Sequence, residues 1–233
     1  MLLGVKSTRT VLIRHTVVAV IAALLVFGVW QANSFWSPDM RLWKAFGGAS
    51  IILLWGALMI GPAARLWRPL NRFVSWRREY GIWFAIISFV HGYLVWDGWA
   101  RWDVAGLLGF QYSAEAEMFL RVEPGFGLAN LMGIVAVLLG LVLAATSFDR
   151  VVSFFGISSW KWLHTLAYAI YYLVSLHVLY FAFLHFVPSA LRMTEYPDNP
   201  LRYLYLALIL SITIIQAAAF VKTVWYKRTF GRD

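Results

Sequence analysis

Histidine is the residue type in this chain best suited to redox or metal chemistry, and two of the five histidines fall where a membrane-embedded metal needs its ligands. His91 and His177 lie inside long apolar runs, whereas His15 and His185 lie near the ends of such runs, where an interfacial position is expected. An ionisable side chain deep in a membrane span is costly, so it indicates a function. The fifth histidine, His164, precedes His177 by thirteen residues.

The depths of His91 and His177 predict that the two side chains share one layer. His91 lies about eleven residues, or about 16 Å, into its span, and His177 lies about fifteen residues, or about 22 Å, from the same side. Two neutral imidazoles at one level on different helices approach a metal from opposite faces, as six-coordinate heme iron requires. Two other readings stay open: a hydrogen-bonded pair packed between helices, and the proton relay of a transporter, although no Asp or Glu lies mid-span to support a relay.

A second metal layer has less support. Thirteen residues correspond to about 20 Å along a helix, so His164 and His177 do not bind the same metal. A second heme at the level of His164 needs a partner thirteen or fourteen residues before His91, and those positions hold Arg78 and Arg77. The spacing therefore favours one bis-histidine heme over two.

His164 and three basic residues, Arg77, Arg78 and Lys161, each have more than one candidate role. His164 is a candidate ligand of an inner heme, with His15 as the available partner at that end, or a contact of another cofactor. Arg77, Arg78 and Lys161 are candidates for binding a heme propionate or an anionic flavin. Their alternative role is to anchor the chain at a cytoplasmic membrane surface.

The composition identifies the solvent around these residues as lipid. Of 233 residues, 61% are apolar and only 13% are charged, and the mean hydropathy is +0.70. A soluble domain carries about 25% charged residues. The absence of cysteine excludes disulfides, thiolate-bound iron–sulfur clusters and a cysteine nucleophile.

The elements that must position the histidines are membrane-spanning helices. Six apolar runs are long enough to cross about 30 Å of hydrocarbon: 14–32, 45–62, 80–97, 126–147, 162–186 and 201–226. We predict an all-α, integral membrane six-helix bundle that forms a single transmembrane domain over residues 1–233. Fourteen Lys and Arg residues fall on one side and six on the other, which predicts that both termini are cytoplasmic. The net charge of +9 is thus assigned to cytoplasmic loops and not to binding of nucleic acid.

The longest loop, at about 97–125, faces outward in this arrangement. Trp96, Trp99 and Trp102 are expected to lie at the bilayer surface as an aromatic belt. A docking surface for an external partner is the alternative.

Three stretches of the sequence carry a family resemblance. Arg77-Arg78-Glu79-Tyr80-Gly81-Ile82-Trp83 is followed after seven residues by His91, Ala145-Thr146-Ser147 closes the fourth span, and the stretch from Trp160 to Tyr168 contains His164 and leads to His177. Together they resemble the ferric reductase-like transmembrane domain, over about residues 45–185. That domain is shared by NADPH oxidases, ferric reductases and the heme-binding membrane subunit of the periplasmic methionine sulfoxide reductase.

The resemblance implies a six-helix bundle that holds b-type heme (heme b) between its third and fifth spans. The matching positions are His91, His164 and His177. A single histidine in the third span and the lack of a flavin and NADPH lobe are most similar to the methionine sulfoxide reductase subunit. The implied protein is a multi-pass component of the bacterial inner (plasma) membrane, in contact with membrane lipid.

The implied activity is electron transfer across that membrane. Electrons come from quinol or a cytoplasmic flavin reductase, with FMN or a quinone as a further cofactor, and pass to a periplasmic redox partner protein. The alternatives are a stand-alone reductase of ferric iron or oxygen, a non-catalytic membrane subunit of a larger complex, and a transporter.

Overall fold

Long helices dominate the computed structural model, which describes residues 8–121, 125–186 and 199–231. Lys6, Arg192 and Arg232, which the charge count above includes, lie outside these residues. The helices are α1 (Thr8–Ala32), α2 (Pro38–Leu66), α3 (Arg77–Leu94), α4 (Val104–Leu107), α5 (Phe126–Ala145), α6 (Asp149–Phe155), α7 (Ile157–Leu163), α8 (Leu166–Leu179) and α9 (Arg202–Phe230). The strands β1 (Phe110–Ser113) and β2 (Met118–Arg121) form one antiparallel hairpin.

Successive long helices run in alternate directions, so the bundle has two distinct ends. The end that carries the β1–β2 hairpin and the α1–α2 turn is called the hairpin end below. The opposite end carries the arginine-rich α2–α3 connection and helices α6 and α7, and it is called the basic end. Both α2 and α5 run from the hairpin end to the basic end, and α3 and α8 return.

The described part of the chain has five helical segments long and apolar enough to cross a membrane: Arg9–Ala32, Pro38–Leu66, Phe126–Ala145, Ile157–Leu184 and Arg202–Phe230. Helix α3 is shorter, with 18 residues, and its first turn carries Arg77, Arg78 and Glu79. The prediction of an all-α, multi-pass membrane protein is confirmed. The hairpin is a small addition within a segment that the sequence predicts as a loop.

A compact turn joins α1 to α2 at the hairpin end. Ser37 caps α2 by accepting a hydrogen bond from the Met40 N–H, and Pro38 occupies the first helical position, where no N–H is needed. Arg41 then reaches back to the C-terminal end of α1. Its guanidinium donates to the Trp30 carbonyl at 3.3 Å and lies over the Trp30 ring. A cation at a helix C-terminus is favourable, so this turn fixes the relative position of the two helices.

Helix α2 is the centre of the bundle. Its side chains Ala49, Leu53 and Leu54 are buried in the main apolar cluster, which α1, α3, α5, α8 and α9 complete. Polar side chains add specific links, since the Trp55 indole donates to the Ser211 hydroxyl of α9 at 2.9 Å. The rigid central helix gives the candidate site a fixed wall.

The ends of most helices differ from the predicted spans by a few residues, and two differences bear on how the helices form. The second span is predicted to end at Pro62, but α2 continues to Leu66 because a proline so close to the end removes only one backbone hydrogen bond. The fifth span is interrupted at His164 and Thr165, between α7 and α8. Short π-helical segments follow α3 (Val95–Trp99) and α8 (Tyr180–Leu184). Such segments insert one residue into a helix and often occur at functional sites.

Candidate metal centre

A cavity of about 670 Å³ opens between α2, α3, α5 and α8 toward the hairpin end. Its volume is typical of cofactor pockets, which measure about 300–1,000 Å³. Both His91 and His177 line it. His91 is three residues from the end of α3, so the histidines lie nearer the hairpin end than the middle of the bundle.

The two histidine rings come together in this cavity in an edge-to-face arrangement. Their centroids are 6.4 Å apart and the ring planes cross at 78°. They come from α3 and α8, as the matched depths in the sequence predict. His91 and His177 are thus the predicted site residues that the structure brings together.

Each histidine is held by a backbone carbonyl of the neighbouring helix. His91 Nδ1 lies 3.0 Å from the Trp43 carbonyl oxygen, and His177 Nδ1 lies 2.7 Å from that of Ala129. A carbonyl only accepts, so each Nδ1 carries the proton and donates it. The neutral ring then has a bare lone pair on Nε2. Two such Nε2 atoms have no proton to share, which argues against a directly hydrogen-bonded histidine pair.

A glycine makes room for each ring. A Cβ atom on Gly47 would lie 3.0 Å from His91 Cε1, and one on Gly133 would lie 2.9 Å from His177 Cε1. Both distances are shorter than ordinary van der Waals contact. Any larger residue at either position would push its histidine out of place. The glycines therefore form part of the site, although neither bears a functional group.

The geometry fits one metal held between the two rings. A metal–imidazole bond is about 2.0–2.1 Å, and a ring centre lies about 1.1 Å from its nitrogen, so two imidazoles that would hold one metal between them would have centroids about 6.3 Å apart. The observed separation is 6.4 Å. A carbonyl partner on the second nitrogen is the usual way to orient a metal-binding histidine. Among the described residues, no three His, Cys, Asp or Glu side chains lie close enough together to hold a metal ion. A metal at this site therefore needs further ligands from outside the chain.

The structure does not bring the other predicted site residues to this pair. His164 lies at the α7–α8 break near the basic end, with Nε2 3.4 Å from the Thr146 hydroxyl and its ring 4.1 Å from that of Trp160. It does not line the cavity. His15 lies half-buried on α1, away from the cavity.

The three basic candidates also lie at the basic end. Arg77 Nε donates to the Ala57 carbonyl at 3.0 Å, Arg78 pairs with the exposed carboxylate of Asp149 at 2.6 Å, and Lys161 is exposed. Arg77 is fourteen residues before His91, about 21 Å along α3. None of the three lines the cavity.

His185, predicted to be interfacial, does line the cavity at the hairpin end. Its ring lies 5.0 Å from that of Phe181, which in turn lies 4.9 Å from the His177 ring. The i, i+4, i+8 spacing of a helix accounts for this row of rings. His185 is therefore a neighbour of the pair and not an isolated surface residue.

Trp43 and Ala129 are missed by reasoning from side-chain types, because they act through their backbone carbonyls. One regularity of the sequence does point to them. Each histidine follows its carbonyl partner by 48 residues, and each follows its glycine by 44. A search for repeated spacing around His91 and His177 would find Trp43 and Ala129.

A comparison with protein families finds a match. The model described as the ferric reductase like transmembrane component matches residues 46–175, more than half of the chain. The matched range contains His91 and His164 and ends two residues before His177. No curated protein matches the sequence.

Proposed function

The chain belongs to the ferric reductase-like transmembrane family, and on that premise we propose that it transfers electrons across a membrane through one b-type heme. His91 and His177 would hold this heme. The observation that carries this proposal is the edge-to-face pair of imidazoles, with centroids 6.4 Å apart and both Nδ1 atoms engaged by carbonyls. Such a heme, when bound, would supply one-electron chemistry.

The protein contributes orientation and a low-dielectric surrounding. The Trp43 and Ala129 carbonyls fix the tautomer and the ring plane of each histidine, and they increase the basicity of Nε2. Apolar side chains such as Phe84, Val137 and Leu141 line the cavity between the helices. This lining limits the access of water to the redox group and lowers the dielectric constant around it, and both effects tune its reduction potential.

The arrangement of residues at the basic end supports a count of one heme per chain. The position that precedes His91 by thirteen residues holds Arg78, which pairs with Asp149. His164, on the other side, is engaged with Thr146 and Trp160. No two described histidines face each other at the basic end, so a second bis-histidine site has no support there.

We propose that the chain crosses the membrane six times. The spans are the five long apolar segments given above and the shorter helix α3, which is the third span in chain order. Because α2 and α5 both run from the hairpin end to the basic end, α3 must return the chain between them. By the positive-inside rule the basic end is cytoplasmic, as are both termini. The hairpin end then faces the periplasm, and the membrane is the bacterial inner membrane.

The proposed donor is quinol or a cytoplasmic flavin reductase, and the proposed acceptor is a periplasmic protein, as for the methionine sulfoxide reductase subunit. Exposed apolar side chains at the hairpin end support a protein acceptor. Trp102 is 61% exposed, and Tyr112 and Phe119 of the hairpin are 59% and 55% exposed. Trp102 also lines the cavity. Aromatic surfaces of this kind are typical of protein contacts.

The test is a dithionite-reduced minus oxidised absorption spectrum of the purified protein, with a pyridine hemochromogen assay. We expect a sharp b-type difference spectrum and about one heme per chain, both lost in His91→Ala. Folded, heme-supplied protein without this spectrum would leave a non-catalytic membrane subunit as the better reading. Co-purification of a periplasmic enzyme supports the protein acceptor, whereas rapid reduction of ferric chelates by the isolated chain supports a stand-alone reductase.

A further inference from the structure

Lys44 is the only Lys or Arg side chain among the described residues that line the cavity, and no Asp or Glu lines it. Lys44 directly follows Trp43, whose carbonyl holds His91, and it precedes Gly47 by one helical turn. Because α2 begins at the hairpin end, Lys44 lies on the hairpin side of the histidine layer. The cavity is therefore positively charged at that end.

Among the described residues, the surroundings of the Lys44 ammonium contain aromatic faces but no anion. Nζ lies 4.6 Å from the Trp36 ring centre and 4.4 Å from that of Phe186. Ring faces attract a cation, but they do not satisfy the three N–H donors of an ammonium. Among the described residues, no carboxylate forms a salt bridge with Lys44. A charge that is partly removed from water without a counter-ion is costly, so this position favours an anionic ligand.

The cavity lining also differs in polarity along the bundle. Toward the basic end the lining is uncharged and mostly apolar: it includes Phe84, Leu141 and Val174, with Ser50 and Ser88 as its polar side chains. Toward the hairpin end it includes Lys44 and His185. A flat ligand with an apolar body and a carboxylate edge matches this gradient in one direction only.

We propose that Lys44 binds a carboxylate of the group held between His91 and His177, so that the propionate edge of the heme faces the hairpin end. This inference rests on the proposed function. It replaces Arg77, Arg78 and Lys161 as propionate partners, because they lie at the opposite end of the bundle. Lys44 is a positioning residue, since it contacts the periphery of the cofactor and not the metal.

The experiment compares two porphyrins that differ only in their carboxylates. Apoprotein is titrated with heme b and with heme b dimethyl ester, which is neutral at that edge, and dissociation constants are read from the visible spectrum. We expect the wild-type protein to bind heme b at least tenfold more tightly than the ester, as expected for a buried charge pair. Lys44→Met should abolish this preference, and Lys44→Arg should retain it. Lys227→Met, an exposed residue at the basic end, is the control with the same charge change.

Each outcome decides a different point. Wild-type protein that binds neither porphyrin overturns the proposed function itself. Equal binding of both porphyrins by the wild type overturns the role of Lys44 and leaves the function intact. A preference that survives in Lys44→Met, or equal weakening of both porphyrins by that variant, also overturns it. The wild-type comparison needs no variant, so it decides the matter even where Lys44→Met does not fold.

Discussion

Replacement of Gly133 by alanine is the sharpest test of how the histidine pair is held. The new Cβ atom would lie 2.9 Å from both Cε1 and Nδ1 of His177. Carbon atoms in good contact are about 3.5–4.0 Å apart, so the ring must move by about 0.5 Å or more. His177 cannot make this movement and keep both its 2.7 Å hydrogen bond to Ala129 and its position opposite His91.

Two effects of opposite sign follow from this substitution. Alanine stabilises a helix interior by about 0.5–1 kcal/mol relative to glycine, so the apoprotein should not lose stability. Loss of an oriented partner of a metal-binding histidine lowers metal affinity by about 10–100-fold. We therefore expect heme to leave Gly133→Ala about 10–100 times faster than it leaves the wild type, while the melting temperature of the apoprotein is unchanged or higher.

The assay is the rate of heme transfer to excess apomyoglobin, followed by absorbance. Gly28→Ala is the matched control because a Cβ atom at Gly28 meets nothing within 4 Å and the residue also lies in a membrane-spanning helix. Equal transfer rates for Gly133→Ala and Gly28→Ala would show that the ring has space to adapt. The glycine would then be a packing residue only.

Two further predictions concern His164 and the orientation of the chain in the membrane. His164→Ala should keep the b-type spectrum and the heme count, because His164 lies outside the cavity; loss of half the heme would instead establish a second site. The chain has no cysteine, so single cysteines at Glu115 in the hairpin turn and at Arg228 near the end of α9 report orientation directly. A membrane-impermeant maleimide added to intact spheroplasts should label the first and not the second, and labelling of both from one side would contradict six spans.

Much of the fold follows from the sequence because the relevant signals are local. Length and hydropathy locate the spans, and the depth of His91 and His177 predicts their common layer. The depth itself is less accurate: the pair lies toward the hairpin end, because α3 begins at Arg77 and ends only three residues after His91. Helix ends depend on capping and packing, which periodicity alone does not determine.

The less predictable parts of the site depend on long-range packing. The carbonyls of Trp43 and Ala129 have no signature in side-chain chemistry, and only the approach of two helices reveals them. Lys44 looks like an ordinary residue near a helix start, whereas Arg77 and Arg78 attract notice as a charged pair. Its proposed role emerges only from the cavity, whose lining includes both Lys44 and His91. The segment at about 97–125, which contains β1 and β2, likewise shows no clear alternation of apolar and polar residues in its sequence.

The repeated 48-residue spacing means that the cavity has two walls of nearly the same design. In each wall, one helix runs from the hairpin end and contributes the carbonyl and the glycine; this helix is α2 in one wall and α5 in the other. A second helix, α3 or α8, runs in the opposite direction and contributes the histidine. Two parallel repeats of this kind are related by rotation about an axis along the membrane normal. A flat ligand between such walls has two orientations, related by exchange of its faces, and the histidines do not distinguish them. For a heme held as proposed, the choice would fall to positions where the walls differ, such as Gly48 in one wall and Ile134 at the corresponding place in the other. The face that such a heme presents to each histidine would then depend on residues that do not bind the metal.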